Sequence, residues 1–428
     1  MPRYPLVAFA LLFCLLCPPV WSAEIPVAPG TGTLNAAAAS ASPGDTLVLQ
    51  EGSYAGDTSL TKSLTIRPVA RGTHAFITGT LTAAADGISV TVQGLKFTQN
   101  FLVTQHPAAV RLLENDFTAG NILITGPIGS SAVVDAAPAL VIVGNGLTGG
   151  GIINEGADYG SGASYIAGNT LYGGSIGVYS PSSIVGNDLR GGPNTIIHAR
   201  GGLARILANR VYSTAEIYTS PRQGVIYTTS AYSLVADNII EVQSTGSYQI
   251  AIATAGTGYA TITNNIIRGL GSPRSSSWAI YSSSGVSRVS GNIIMDFAER
   301  NNSPPINVTS VSQDISNNLC YNGSVGCPAG GGNLNADPKF VDLVGYRLAP
   351  DSPAIDAGPA DDVLADLDRT RNDMGAYGGP WEIGQYDLQR GATNYAPYVY
   401  PLIRWDWSPA GGVSGSLEVQ ALGVARLR

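Results

Sequence analysis

The sequence predicts an all-β fold: a single-stranded right-handed parallel β-helix with a short N-terminal helical cap and an irregular C-terminal cap and tail. Three observations predict it. An asparagine recurs at a period of about 25 residues, apolar residues hold fixed offsets around each asparagine, and the chain is rich in glycine but poor in charge.

The repeat is marked by Asn115, Asn145, Asn169, Asn187, Asn209, Asn238, Asn265, Asn292 and Asn318. Three positions before them stand Leu112, Ile142, Ile166, Ile184, Ile206, Val235, Ile262, Val289 and Ile315; two positions after stand Phe117, Leu147, Leu171, Leu189, Val211, Ile240, Ile267, Ile294 and Cys320. The flanking segments are short and β-branched and lack a 3.6-residue period, so they read as strands of about four residues. A second short strand follows in each repeat, as in Ile176 to Ser180, Thr195 to Ala199, Val225 to Thr229, Gln249 to Thr254, Ala279 to Ser283 and Ile306 to Ser310. Each repeat is then one turn of a solenoid. The asparagines are read as structural, taking a left-handed backbone at stacked corners and hydrogen-bonding to their copies above and below.

Upstream, Thr46 to Leu49, Leu64 to Arg67 and Ile88 to Phe97 read as two or three further coils. A solenoid exposes raw ends, and alanine-rich Leu34 to Ala41 is the expected helix over the first one. Residues 1–23 read as an export signal: Arg3, the apolar run Leu6 to Leu16, then small residues at Ser22 and Ala23. The mature chain, from Ala23 or Glu24, is expected outside the cytoplasm, secreted, periplasmic or at the cell surface, with no membrane span. After the signal only Cys320 and Cys327 remain. A local disulfide is the economical reading, because neither has a His or Cys partner at metal-ligand spacing. Charged residues make up 12% of the chain, there are 53 glycines, and the net charge is −7, which argues against disorder and against a nucleic-acid partner.

Beyond Cys327 the repeat stops, giving expected boundaries of 24–327 for the β-helix, 328–380 for a capping segment and 381–428 for an aromatic tail. The stretches Asp337-Pro-Lys-Phe-Val-Asp342, Tyr346 to Gly358, Asp366-Leu-Asp368 and Asp373-Met-Gly-Ala-Tyr377 resemble the closing segment of secreted β-helix proteins of the choice-of-anchor Q type. With the coils, the chain resembles the pectin-lyase-like superfamily. Arg369 and Gly378 depart from that segment's usual Gly and Glu, which puts in doubt any ion the loop holds in relatives. Asp356, Asp366, Asp368 and Asp373 have two readings: ligands for calcium, or acceptors for backbone and arginine donors that fold the cap. No other cofactor is expected. The tail, from Trp381 through Tyr386, Tyr395, Tyr398, Tyr400, Trp405 and Trp407, also has two: a shield lying along the coil, or a platform for sugar rings or another surface protein. Ser416 to Leu427 alternates like a last strand.

The resemblance implies carbohydrate chemistry of two kinds. Hydrolysis needs facing carboxylates, and the repeats offer only Glu155 and Asp158, in a glycine-rich loop. A lyase needs a base beside arginines or calcium. His198, Tyr227 and Tyr281 each stand eleven residues before a corner asparagine, so alternation sends them to one outer face. Arg200 shares that face and Arg222 sits in a nearby loop. His198 and Arg200 are thus the catalytic candidates, with Tyr227, Tyr281 and Arg222 as substrate contacts, the partner being a polysaccharide or surface glycan. Against this stands the reading that outward Tyr and His only pair between coils. Arg205 and Arg288 read as surface charges. Two function classes follow: a lyase-like enzyme on an acidic glycan, or a noncatalytic surface or envelope protein that binds glycan or forms a structural rod.

Overall fold

A computed structural model describes residues 22–129, 138–155, 162–214, 223–243, 248–256, 258–271, 276–283, 287–297, 304–309, 313–323, 325–386, 398–403 and 419–424. The chain winds as a right-handed parallel β-helix whose coils lay their strands on three sheets. Among the described residues these hold 13, 14 and 11 strands, each pairing in parallel with its copy one coil away. The segments flanking each asparagine are two strands on two sheets, the first before the corner and the second after it. The third sheet carries the short strand that follows.

The interior is built from inward residues that stack in columns from rung to rung. On the first sheet Ile166, Ile184, Ile206, Val235 and Ile262 are in register and fully buried. Each such side chain contributes about 1.5–3 kcal/mol of hydrophobic stabilisation. A helix, Thr33–Ser40, closes the first coil by burying Leu34 and Ala38 against this core. Its last carbonyls are met by Lys62, whose Nζ donates to Ala39 and Ala41.

The asparagines form a continuous ladder between the first two sheets. In each step the backbone N–H and the Nδ2 of one asparagine donate to Oδ1 of the next, at 2.8–3.1 Å from Asn115 to Asn318. The left-handed backbone, however, is not theirs. It belongs to the residue before each: Glu114, Gly144, Gly168, Gly186, Ala208, Asp237, Asn264, Gly291 and Asn317, with φ between 52° and 70°. The asparagine is freed to point inward and hydrogen-bond, while its predecessor absorbs the bend, at lowest cost where it is glycine.

The coil also runs further than expected. Asn333 accepts from Asn318 at 2.9 Å, and Leu334–Asn335 adds a strand to the second sheet beyond Cys327. From there the chain turns back as an arm, residues 338–386, that lies along the outside of the corner column. Asn317 donates to the Ala357 carbonyl (3.1 Å), Gly375 N–H to the Gly291 carbonyl (2.8 Å), and a Cβ on Gly186 would meet Tyr386 at 2.9 Å. The arm and coil share a second apolar cluster, with Tyr346, Met374, Trp381 and Ile383 against Leu207, Ala236, Ile266 and Ile293. Trp381 and Tyr386 thus shield the coil. Arg288 is not a free surface charge, since it pairs with Asp361 of the arm at 3.0 Å and with Asp314 at 3.5 Å. Further on, Tyr398–Ile403 pairs antiparallel with Val419–Val424. Residues 1–21, Asp158, Arg222, Tyr395, Trp405 and Trp407 lie outside the described residues. Among those described, no helix is long and apolar enough to cross a membrane.

Candidate functional site

The candidate residues come together on the outer face of the third sheet. In Ile197–Ala199 the flanking residues are fully buried inward, so His198 faces out. Parallel register then sets Gly177, His198, Tyr227, Ala253 and Tyr281 in one column across five coils. Alanine occupies the rung between the two tyrosines.

Two aromatic residues join them that the alternation argument did not reach, Tyr179 and Trp278. The reason for the second is a stacked β-bulge. Amides of both Ala279 and Ile280 donate to the Pro305 carbonyl (2.9 and 3.1 Å), and those of Ile196 and Ile197 to the Val225 carbonyl (2.8 and 3.1 Å). Two consecutive residues therefore face the core on these coils, and the strand before them is flipped outward. Trp278 and Ile250 land on the outer face, packed with Tyr227 and Ala253. Tyr179 follows its strand at a corner, one coil from Arg200, and no repeat offset marks it.

The rings form a connected surface. His198 stacks on Tyr227 with centroids 5.1 Å apart and 29° between planes, and meets Tyr179 edge-on at 5.8 Å. The exposed Arg200 guanidinium lies 5.4 Å from the Tyr179 centroid, within cation–π range. Trp278 and Tyr281 sit 5.3 Å apart. Burial, then the charge of Arg200, lowers the His198 pKa from its ordinary value, so the ring is neutral at neutral pH. Burial pushes the Tyr227 hydroxyl up, with Arg200 opposing it. The His198 Nε2 is buried and has no hydrogen-bond partner among the described residues. What this surface can do is stack planar or pyranose rings and meet a carboxylate through Arg200. A base is present in the neutral form, but one of its two nitrogens is closed to solvent.

No family model and no curated protein sequence matches the chain. Among solved structures, the crystal structure of pectate lyase Pel9A is similar at a TM-score of 0.39 and 14% sequence identity, covering 84% of this chain and 97% of that one.

Other candidates lie elsewhere. Glu155 is exposed, just past the strand Ile152–Asn154. Cys320 and Cys327 are joined by a disulfide, with Cα atoms 5.4 Å apart, at the end of the coil. Asp366, Asp368 and Asp373 work as backbone acceptors. Asp366 receives the N–H groups of Asp373 and Gly379, Asp368 that of Thr370, and Asp373 that of Asp356. Among the described residues no three His, Cys, Asp or Glu side chains converge on a point where they could hold a metal ion.

Proposed function

We propose that this protein is an exported β-helix that binds an acidic polysaccharide on the outer face of its third sheet. Sugar rings lie against Tyr179 and Tyr281, Arg200 takes a carboxylate, and Tyr227, expected as a contact, is buried and backs His198 instead. The observation that carries the reading is the exposed Arg200 held over Tyr179 beside the His198–Tyr227 stack. It joins a cation to several ring faces on a rigid support, which suits a charged sugar chain. Affinity electrophoresis of the full-length protein in gels containing polygalacturonate or alginate tests it. Arg200→Gln and Tyr179→Ala should each weaken retardation about tenfold, a loss of about 1.4 kcal/mol. Equal retardation of both variants and wild type would reject the site.

A second reading, cleavage by elimination, is favoured by the neutral state of His198 next to Arg200. In that chemistry the imidazole takes the proton beside the sugar carboxylate, Arg200 stabilises the resulting carbanion, and the glycosidic oxygen leaves to give an unsaturated sugar. The closed Nε2 places binding ahead of it. Ultraviolet absorbance of the unsaturated product separates the two: its appearance with wild type and loss in His198→Ala would make the protein a lyase, and retention of polymer without product leaves it a binder.

A further inference from the structure

On the second sheet, a different side of the coil, register places Tyr172, Arg190 and Tyr212 on three successive rungs. All three face outward, because Leu171, Leu189 and Val211 beside them fill the core. Tyr172 is 49% exposed and the Arg190 side chain 57%. With neighbouring strands about 4.8 Å apart, the two tyrosines stand roughly 9–10 Å apart with a guanidinium between them.

The arginine is fixed rather than loose. Its Nε and Nη2 donate to the two oxygens of Asp188, at 3.1 and 3.3 Å, which leaves Nη1 without a hydrogen-bond partner among the described residues. Arg210 stands one coil away, opposite Asp188, and raises the positive character of the patch in a chain of net charge −7.

The corner beside this ladder is bare. Gly149, Gly173 and Gly191 turn it at φ of 72°, 76° and 67°, and a Cβ on Gly149 would touch nothing within 4 Å. The next residues, Gly150 and Gly174, are held so close to the preceding coil that a Cβ would lie 1.8 Å from a carbonyl oxygen. No side chain of these turns rises beside Tyr172 and Arg190. On the rung after Tyr212, Glu241 is engaged by Tyr346 of the arm and the strip ends.

We propose that Tyr172, Arg190 and Tyr212 form a second contact site for an acidic glycan, distinct from the His198 face. Two sugar rings stack on the tyrosines, and a carboxylate between them pairs with the open edge of Arg190. The site stands independently of the third-sheet reading.

The test is affinity electrophoresis of the full-length protein on polygalacturonate, on alginate and on a neutral galactan. Tyr172→Ala with Tyr212→Ala should reduce retardation by the acidic polymers at least threefold, and Arg190→Gln should lower the preference for acidic over neutral polymer, the remainder being carried by Arg200. Tyr172 and Arg190 are exposed and Tyr212 is half-buried with its hydroxyl on Gln243, so melting temperatures are read beside retardation to show that each variant is folded. If the tyrosine pair and Arg190→Gln are retarded like wild type, the site is overturned. It is equally overturned if wild type is not retarded by either acidic polymer. Tyr179→Ala discriminates the two faces: loss of all retardation in that variant, with none lost in the double tyrosine variant, rejects this site and leaves the third-sheet face standing.

Discussion

Asn264 donates from Nδ2 to Oδ1 of Asn372 at 3.0 Å, tying a coil corner to a segment 108 residues further along the chain. Asn264 is the left-handed residue of its corner, and it also donates to the Asp373 carbonyl at 2.9 Å. Asn372 is fully buried and donates in turn to the Leu364 carbonyl at 2.6 Å. The residues that bend the coil are therefore also the residues that receive the arm.

Replacing Asn372 by alanine should loosen the arm and leave the coil intact. It strands buried polar partners on both sides, at a cost of about 1–3 kcal/mol. Hydrogen exchange should show faster exchange of arm amides such as Gly375 N–H, with the ladder amides Asn187 N–H and Asn209 N–H unchanged. Uniform acceleration throughout the chain would show that arm and coil are one cooperative unit.

The same interface predicts a pH dependence. Asp237 is fully buried, and neither carboxyl oxygen has a hydrogen-bond partner among the described residues. The arm presents Asp366, Glu382 and Tyr386 to it. Burial, then the charges of Asp366 and Glu382, holds Asp237 well above the usual carboxylate range, and burial pushes Asp366 up to about 6. Folded-state values above the unfolded ones mean stability that is present at low pH and lost as pH rises through the folded values. Wild type should melt lower at about pH 8 than at about pH 5, and Asp237→Asn should flatten that difference by being the more stable of the two at the higher pH. An Asp237→Asn protein that is weaker than wild type at both pH values would count against an uncharged Asp237.

Asn209 tests the ladder itself. Its Oδ1 receives both donors of Asn187, and its Nδ2 reaches the Ile184 carbonyl and Asn238 Oδ1, all within 3.0 Å and fully buried. Alanine there leaves several buried groups unmatched, and the expected cost is about 2–4 kcal/mol in denaturant unfolding. A loss under about 0.5 kcal/mol, as for an ordinary surface site, would mean the ladder does not hold the coils.

The coil was legible because one asparagine is copied with its apolar neighbours at the same offsets from Asn115 to Asn318. The left-handed position before it was not, since glycine, alanine, aspartate, asparagine and glutamate all occupy it and no single residue type repeats. Asn333 was missed because Pro328 to Gly332 shortens the last turn and breaks the offsets. The facing of His198, Tyr227 and Tyr281 follows from alternation alone, whereas Trp278 needed the bulge at Ala279 and Ile280, which shifts alternation by one residue without changing composition. The arm was illegible in its placement. Pairs such as Asn264 with Asn372 and Arg268 with Tyr346 join segments with no shared period.

The state of His198 can be measured directly, since the chain holds only two other histidines, His74 and His106. Burial removes water from the imidazole and Arg200 adds a like charge, so both causes disfavour the protonated form. Its titration by nuclear magnetic resonance should fall below the ordinary value of about 6.5. Because the folded-state value is depressed, stability is present above the unfolded value and is lost as pH falls from there through the folded value. Arg200→Gln should raise the His198 titration only in part, since burial is the larger cause. A His198 value at or above the ordinary one in wild type would mean that the ring is solvated or paired with a carboxylate, and the stack on Tyr227 would then not be the arrangement that presents this face to a glycan.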